Sequence, residues 1–89
     1  MLKKLQAKNP DRNVAFIAIE ELTEPKEIKR FYKEYIEWLS VATKNPSDMA
    51  NQNLGYILAY YGDDTNRIWR HTIPEIYHPV PFIDRIFST

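Results

Sequence analysis

Cysteine is absent from this 89-residue chain, which excludes disulfides, thiolate zinc sites and a cysteine nucleophile and leaves packing or self-association to stabilise the fold. The same absence fits a cytoplasmic protein, because small secreted domains are commonly disulfide-bonded. Glycine is nearly absent too: Gly55 and Gly62 are the only two, and neither stands in a context that would cradle phosphate. No serine lies in a nucleophile-elbow sequence. Net charge is missing as well, with 12 Lys and Arg against 12 Asp and Glu and an isoelectric point near 6.7. A nonspecific nucleic-acid binder needs a cationic excess, so that class loses its strongest support. There is no apolar run of about 18 residues, as a membrane span requires. Residues 1–10 contain lysines without the apolar stretch of a signal peptide. Neither a membrane partner nor export is expected.

What remains is globular in character, with 44% hydrophobic and 13% aromatic residues and no repeat or low-complexity tract. A single domain of this length buries only about 60–65% of the surface its unfolded chain exposes, so its stability is marginal and a partner is worth seeking. Residues 1–13 hold four basic residues against Asp11 and are interrupted by Pro10. They read as a flexible, solvated N-terminal arm, followed by one helical domain over 14–89.

The clearest element follows Thr23, where Thr23 as cap, Glu24 in the first turn and Pro25 at an early position announce a helix over about 25–43. Ile28, Phe31, Tyr32, Tyr35, Ile36, Trp38, Leu39 and Ala42 fall on one arc of it, opposite a charged arc. Lys44-Asn45-Pro46 ends that helix, and Ser47 or Asp48 caps a second over about 48–61, with Gly62 as its left-handed terminator. From Met49 to Gly62 there is no charged residue. A helix uncharged all round is normally covered all round. Asp63 and Asp64 start a third, short helix over 64–73, with Trp69 inside and Arg67, Arg70 and His71 outside. The Pro-rich remainder from Pro74 reads as extended and pinned by its apolar residues. Residues 14–22 (VAFIAIEEL) suit either a helix or a single strand at 14–19; we read helix. The expected fold is therefore mainly α, a small bundle of three or four helices.

Three kinds of chemistry compete for these residues. Gly55 and Ala59, four residues apart and flanked by Asn51, Tyr56 and Tyr60, form a small-residue face on the uncharged helix. A second copy of the chain would cover it, since two-fold dimers are the commonest oligomers. The alternative is a helix-turn-helix presenting Asn66, Arg67, Arg70 and His71 to a DNA groove; Arg and Asn are the right donors for base edges, but Asp63 and Asp64 would face phosphates. A third reading joins His71, Glu75 and His78 as ligands of a divalent metal in a small enzyme, although Pro74 and Pro79 oppose their convergence. Paired carboxylates at Glu20-Glu21 and Asp63-Asp64 lack the signs of a shared cleft. The sequence favours a small, non-enzymatic, self-associating interaction module with no cofactor and an unidentified protein partner.

Overall fold

Pro25 sets where the longest helix begins. The computed structural model, which describes residues 1–76, places five helices in order: α1 (Leu2–Lys8), α2 (Val14–Glu21), α3 (Pro25–Leu39), α4 (Pro46–Leu58) and α5 (Asp63–Thr72). The protein is mainly helical, with no strand among the described residues. The Pro-rich segment falls largely beyond residue 76, outside them.

In α3 the arc assigned to the interior is buried at Ile28, Phe31, Tyr35 and Leu39, and Pro25 occupies the first turn. Glu24, one residue later than Thr23, is the cap. Regular helix ends at Leu39, and the next residues turn back as the Ala42 and Thr43 amides both bond the Leu39 carbonyl. Trp38, placed inside by the sequence, is 55% exposed. It lies at the edge of the apolar arc and stacks on Tyr35, with ring centroids 5.9 Å apart.

The ambiguous stretch is α2, and the strand alternative fails. Asn13 decides the matter: its side-chain oxygen accepts from the Ala15 amide at 2.8 Å, capping a helix start. Val14, Ala15, Ile17, Ala18 and Ile19 are all buried. The alanines keep this helix thin enough to be surrounded.

The flexible-arm expectation for residues 1–13 is also overturned. A seven-residue helix is too short to persist alone, so α1 exists because Leu2 and Leu5 dock into the common core. Polar contacts fasten the rest. The Gln6 side chain donates to the Arg12 carbonyl at 2.7 Å, Lys8 pairs with Glu21 at 3.3 Å, and Arg12 pairs with Glu20 at 2.6 Å. Glu34 on α3 accepts from the Leu2 amide at 3.2 Å and the terminal ammonium at 3.3 Å. The contrary signal in the sequence was the four basic residues; they occupy α1's wet side and its following loop.

The second helix begins at Pro46, two residues earlier than expected, with Asp48 in its first turn. It does not end on a left-handed glycine. The Tyr60 and Tyr61 amides bond back three residues to Ile57 and Leu58, each at 3.1 Å, so the last carbonyls are satisfied by a tightened turn. Gly62 has φ −63° and ψ 163° and serves as the extended cap of α5. The most extensive packing is α3 on α4, followed by α2 against α1 and α4 and α5 against α3.

Replacement of Leu5 by Ala is expected to lower unfolding free energy by roughly 2–4 kcal/mol, measured by urea denaturation; a change within about 0.5 kcal/mol would restore the solvated arm. A second outcome concerns acid. The Leu2 amide, helped by the terminal ammonium and Arg30, holds the Glu34 carboxyl below its ordinary range. A depressed carboxyl stabilises the fold above its unfolded value and loses that contribution as pH falls through the folded value. Hydrogen exchange of the α1 amides, corrected for intrinsic rates, should therefore gain protection as pH rises through the acidic range. Glu34→Gln should abolish the pH dependence.

Candidate functional site: an aromatic groove beside the fourth helix

Where α2, α3 and α4 meet, their packing leaves an open groove of about 290 Å³. Asn53, Tyr56, Ile57 and Tyr60 of α4 and its C-terminal turn line it together with Asn13 and Phe16 and with Tyr35 of α3. At 100° per residue these α4 positions occupy one arc, next to the buried stripe of Ala50, Leu54 and Leu58. Among the described residues no charged side chain lines the groove. Tyr60 is 68% and Phe16 38% exposed, while Tyr35 is buried and Tyr56 half-buried.

The aromatic surface continues past the groove in both directions. Trp38 stacks on Tyr35, and Phe16 lies 6.5 Å from the Tyr61 ring. Asn53 donates to the Tyr35 hydroxyl at 3.4 Å. Burial raises the Tyr35 hydroxyl above its usual range, so it stays a neutral donor and acceptor. At the Phe16 end the Tyr61 hydroxyl donates to Glu20 at 2.8 Å; burial and that carboxylate raise its pKa. Glu20 itself is held low by its bonds from Arg12 and Tyr61. Stacking, apolar contact and neutral hydrogen bonding are the chemistry available here. A larger cleft of about 430 Å³ lies beside α1, but Lys4, Lys8, Glu21, Glu27 and Arg30 line it and solvate it.

The five residues assigned to an interface divide. Tyr56 and Tyr60 lie together in the groove. Gly55 is buried, Ala59 is half-buried, and Asn51 accepts a hydrogen bond from the Tyr32 hydroxyl outside the groove. Sequence reading missed Phe16, Tyr35 and Asn53 as companions of the tyrosines. Their spacing along the chain reveals nothing, because the groove arises from contacts between helices distant in sequence.

The DNA-reading set does not share an exposed face. Arg67 is exposed and pairs with Asp64 at 2.8 Å, and His71 is exposed. Asn66 and Arg70 are half-buried, and the Asn66 amide donates to the Tyr61 and Gly62 carbonyls at 2.7 and 3.3 Å. Arg70, expected outside, lies on the flank of α5, where burial lowers its pKa. The fifth helix packs chiefly on α3 and α2, whereas a helix-turn-helix pairs the two consecutive helices.

For the metal reading, His71 is on α5 while Glu75 borders a shallow depression with Asp48, Asn51 and Gln52. His78 lies outside the described residues. Among the described residues no three His, Cys, Asp or Glu side chains converge. No described helix is long and apolar enough to cross a membrane. No protein-family model matches the chain, and neither curated proteins nor solved structures provide a match.

The two tryptophans provide a direct check on this division between core and surface. Trp69 is fully buried, and its replacement by Ala should cost roughly 3–5 kcal/mol in chemical denaturation. Trp38→Ala should cost about 0.5–1.5 kcal/mol, the worth of its stacking on Tyr35. Equal losses would place Trp38 in the core.

Proposed function

We propose that the chain is a small non-enzymatic interaction module that forms a homodimer in the cytoplasm through the neutral aromatic face on α4. The observation that carries this reading is the groove between Phe16, Tyr35, Tyr56 and Tyr60, which no charged side chain among the described residues lines and which Trp38 extends. Interface centres are depleted in charge and enriched in Tyr, Trp and Phe. A two-fold contact would set the exposed Tyr60 of each copy against the groove of the other, satisfying both with one repeated surface. Standard interfaces hide about 800 Å² per partner. Aromatic rings of this kind bury up to about 150–250 Å² each, so a few form the centre of such a contact. The dimer centre thus shifts from Gly55, Ala59 and Asn51 to the Tyr56–Tyr60 side. Absence of cysteine supports the cytoplasmic assignment.

Sedimentation velocity across the micromolar range tests the proposal. Wild type should sediment as a dimer at the upper end, and Tyr60→Arg should yield a folded monomer. Its intrinsic stability should change by no more than about 0.5 kcal/mol, because Tyr60 is exposed in the single copy. A wild type that stays monomeric at high micromolar concentration overturns self-association.

A further inference from the structure

The aromatic groove and the sequence that follows Ile76 are complementary in chemistry. Residues 76–83 read Ile-Tyr-His-Pro-Val-Pro-Phe-Ile, with no Asp, Glu, Lys or Arg and with the only Pro-x-Pro of the chain, Pro79-Val80-Pro81. All but Ile76 lie outside the described residues. Each proline fixes its own φ and disfavours the helical region for the residue before it, so this sequence favours an extended, polyproline-type backbone. Grooves lined by aromatic rings are what receive such segments. Among the described residues, the groove of Phe16, Tyr35, Tyr56 and Tyr60 has that character and no charge.

A polyproline-type backbone makes no internal hydrogen bonds, so its carbonyls need donors from elsewhere. Asn13, Asn53 and Tyr60 bring side chains with N–H or O–H groups to the groove. Its volume of about 290 Å³ stands at the lower end of ligand pockets, which suits one or two apolar side chains set in from a passing chain.

Position agrees with chemistry. Ile76 is buried in the core and fixes where the segment starts. Glu75, just before it, borders a depression with Asp48, Asn51 and Gln52 of α4. Gln52 precedes Asn53 and stands one helical turn from Tyr56, so the segment starts beside the flank of α4 that adjoins the groove. At about 3.1 Å per residue, an extended chain covers no more than about 20 Å from Ile76 to Phe82.

We propose that residues 79–82 of each copy dock in the aromatic groove of the other. The inference rests on the dimer reading and names what the groove receives. A segment laid in its own groove would cover the surface on which that dimer forms, whereas exchange across a two-fold axis fills both grooves and keeps the contact. Tyr60 meets the partner through this segment. Phe82 adds a further ring, up to about 150–250 Å² toward the roughly 800 Å² that a standard interface hides on each partner.

The test mixes isotope-labelled and unlabelled full chain at a concentration where sedimentation shows a dimer. Isotope-filtered nuclear Overhauser spectroscopy then reports contacts between copies, and contacts from Val80 and Pro81 of one copy to the Phe16, Tyr56 or Tyr60 ring of the other are expected. A dimer without them overturns the docking and leaves the dimer reading standing. Contacts found only within one copy overturn the exchange. A wild type that sediments as a monomer removes both readings. Val80→Asp sets a charge in the docked segment and should weaken dimerisation about tenfold or more. Ser88→Asp, the same charge farther along the chain, should leave it within about twofold. Undiminished dimerisation of Val80→Asp, where Tyr60→Arg is monomeric, overturns the docking alone. If Val80→Asp does not fold by circular dichroism, the wild-type contacts decide.

Discussion

The indole of Trp69 is the point on which three helices depend. It is fully buried, meets Phe31 of α3 edge-on with centroids 6.1 Å apart, and donates its N–H to the Leu22 carbonyl at 3.2 Å. A buried indole N–H requires an acceptor. That acceptor exists because α2 stops at Glu21 and the chain turns extended at Leu22, leaving a terminal carbonyl without a helical partner. The end of one helix and the centre of another are therefore matched through a single hydrogen bond. Phe31 in turn stacks on Tyr35, with centroids 5.4 Å apart, and Tyr35 carries Trp38. An aromatic column runs from the deepest residue of the core to the surface beside the groove.

This column explains why α3 serves both the core and the candidate site. Its buried arc is fixed by Ile28, Phe31 and Leu39, and Tyr35 must follow them because residues four apart share a face. The hydroxyl of Tyr35 nevertheless reaches Asn53 at the edge of α4. Packing that the fold requires thereby sets part of the groove's lining, to which α2 adds Phe16. The rigid part of the site is borrowed from the core, and its exposed part is the side chains of Tyr60 and Phe16.

The periodicity of α3, the break at Lys44-Asn45-Pro46 and the acidic helix start at Asp63-Asp64 were legible because each rests on residues close in the chain. The same locality explains what was not. Leu2 and Leu5 are only two apolar residues in a basic segment, and their burial depends on α2 and α3 arriving beside them. Phe16 looked like one member of an apolar run, but the helical turn that buries Ile17 and Ile19 carries it to the surface. Gly62 looked like a helix terminator, yet the tight turn at Tyr60 and Tyr61 completed that task first. Of the site, the uncharged stretch from Met49 to Gly62 and the Tyr56–Tyr60 pair were readable. Which helices would border them was not, since that is decided by contacts across the whole chain.

The lack of charge on α4 from Met49 onward is not a requirement of helix formation or of solubility. The neighbouring α3 shows the other solution in the same molecule: Lys26, Lys29, Arg30, Lys33 and Glu37 cover its outer face, all exposed. Among the described residues, α3 and α2 take two sides of α4 and α5 packs chiefly elsewhere. Part of its surface therefore faces no other described helix, and the packing of those helices would accept lysine or glutamate there. Yet that surface carries Asn53, Tyr56 and Tyr60, side chains that give large contact area and neutral hydrogen bonds at modest entropy cost. Two helices of similar burial pattern have opposite surface chemistry. Among the described residues that difference has no source in the packing of the helices, and the two-fold contact proposed on α4 would account for it.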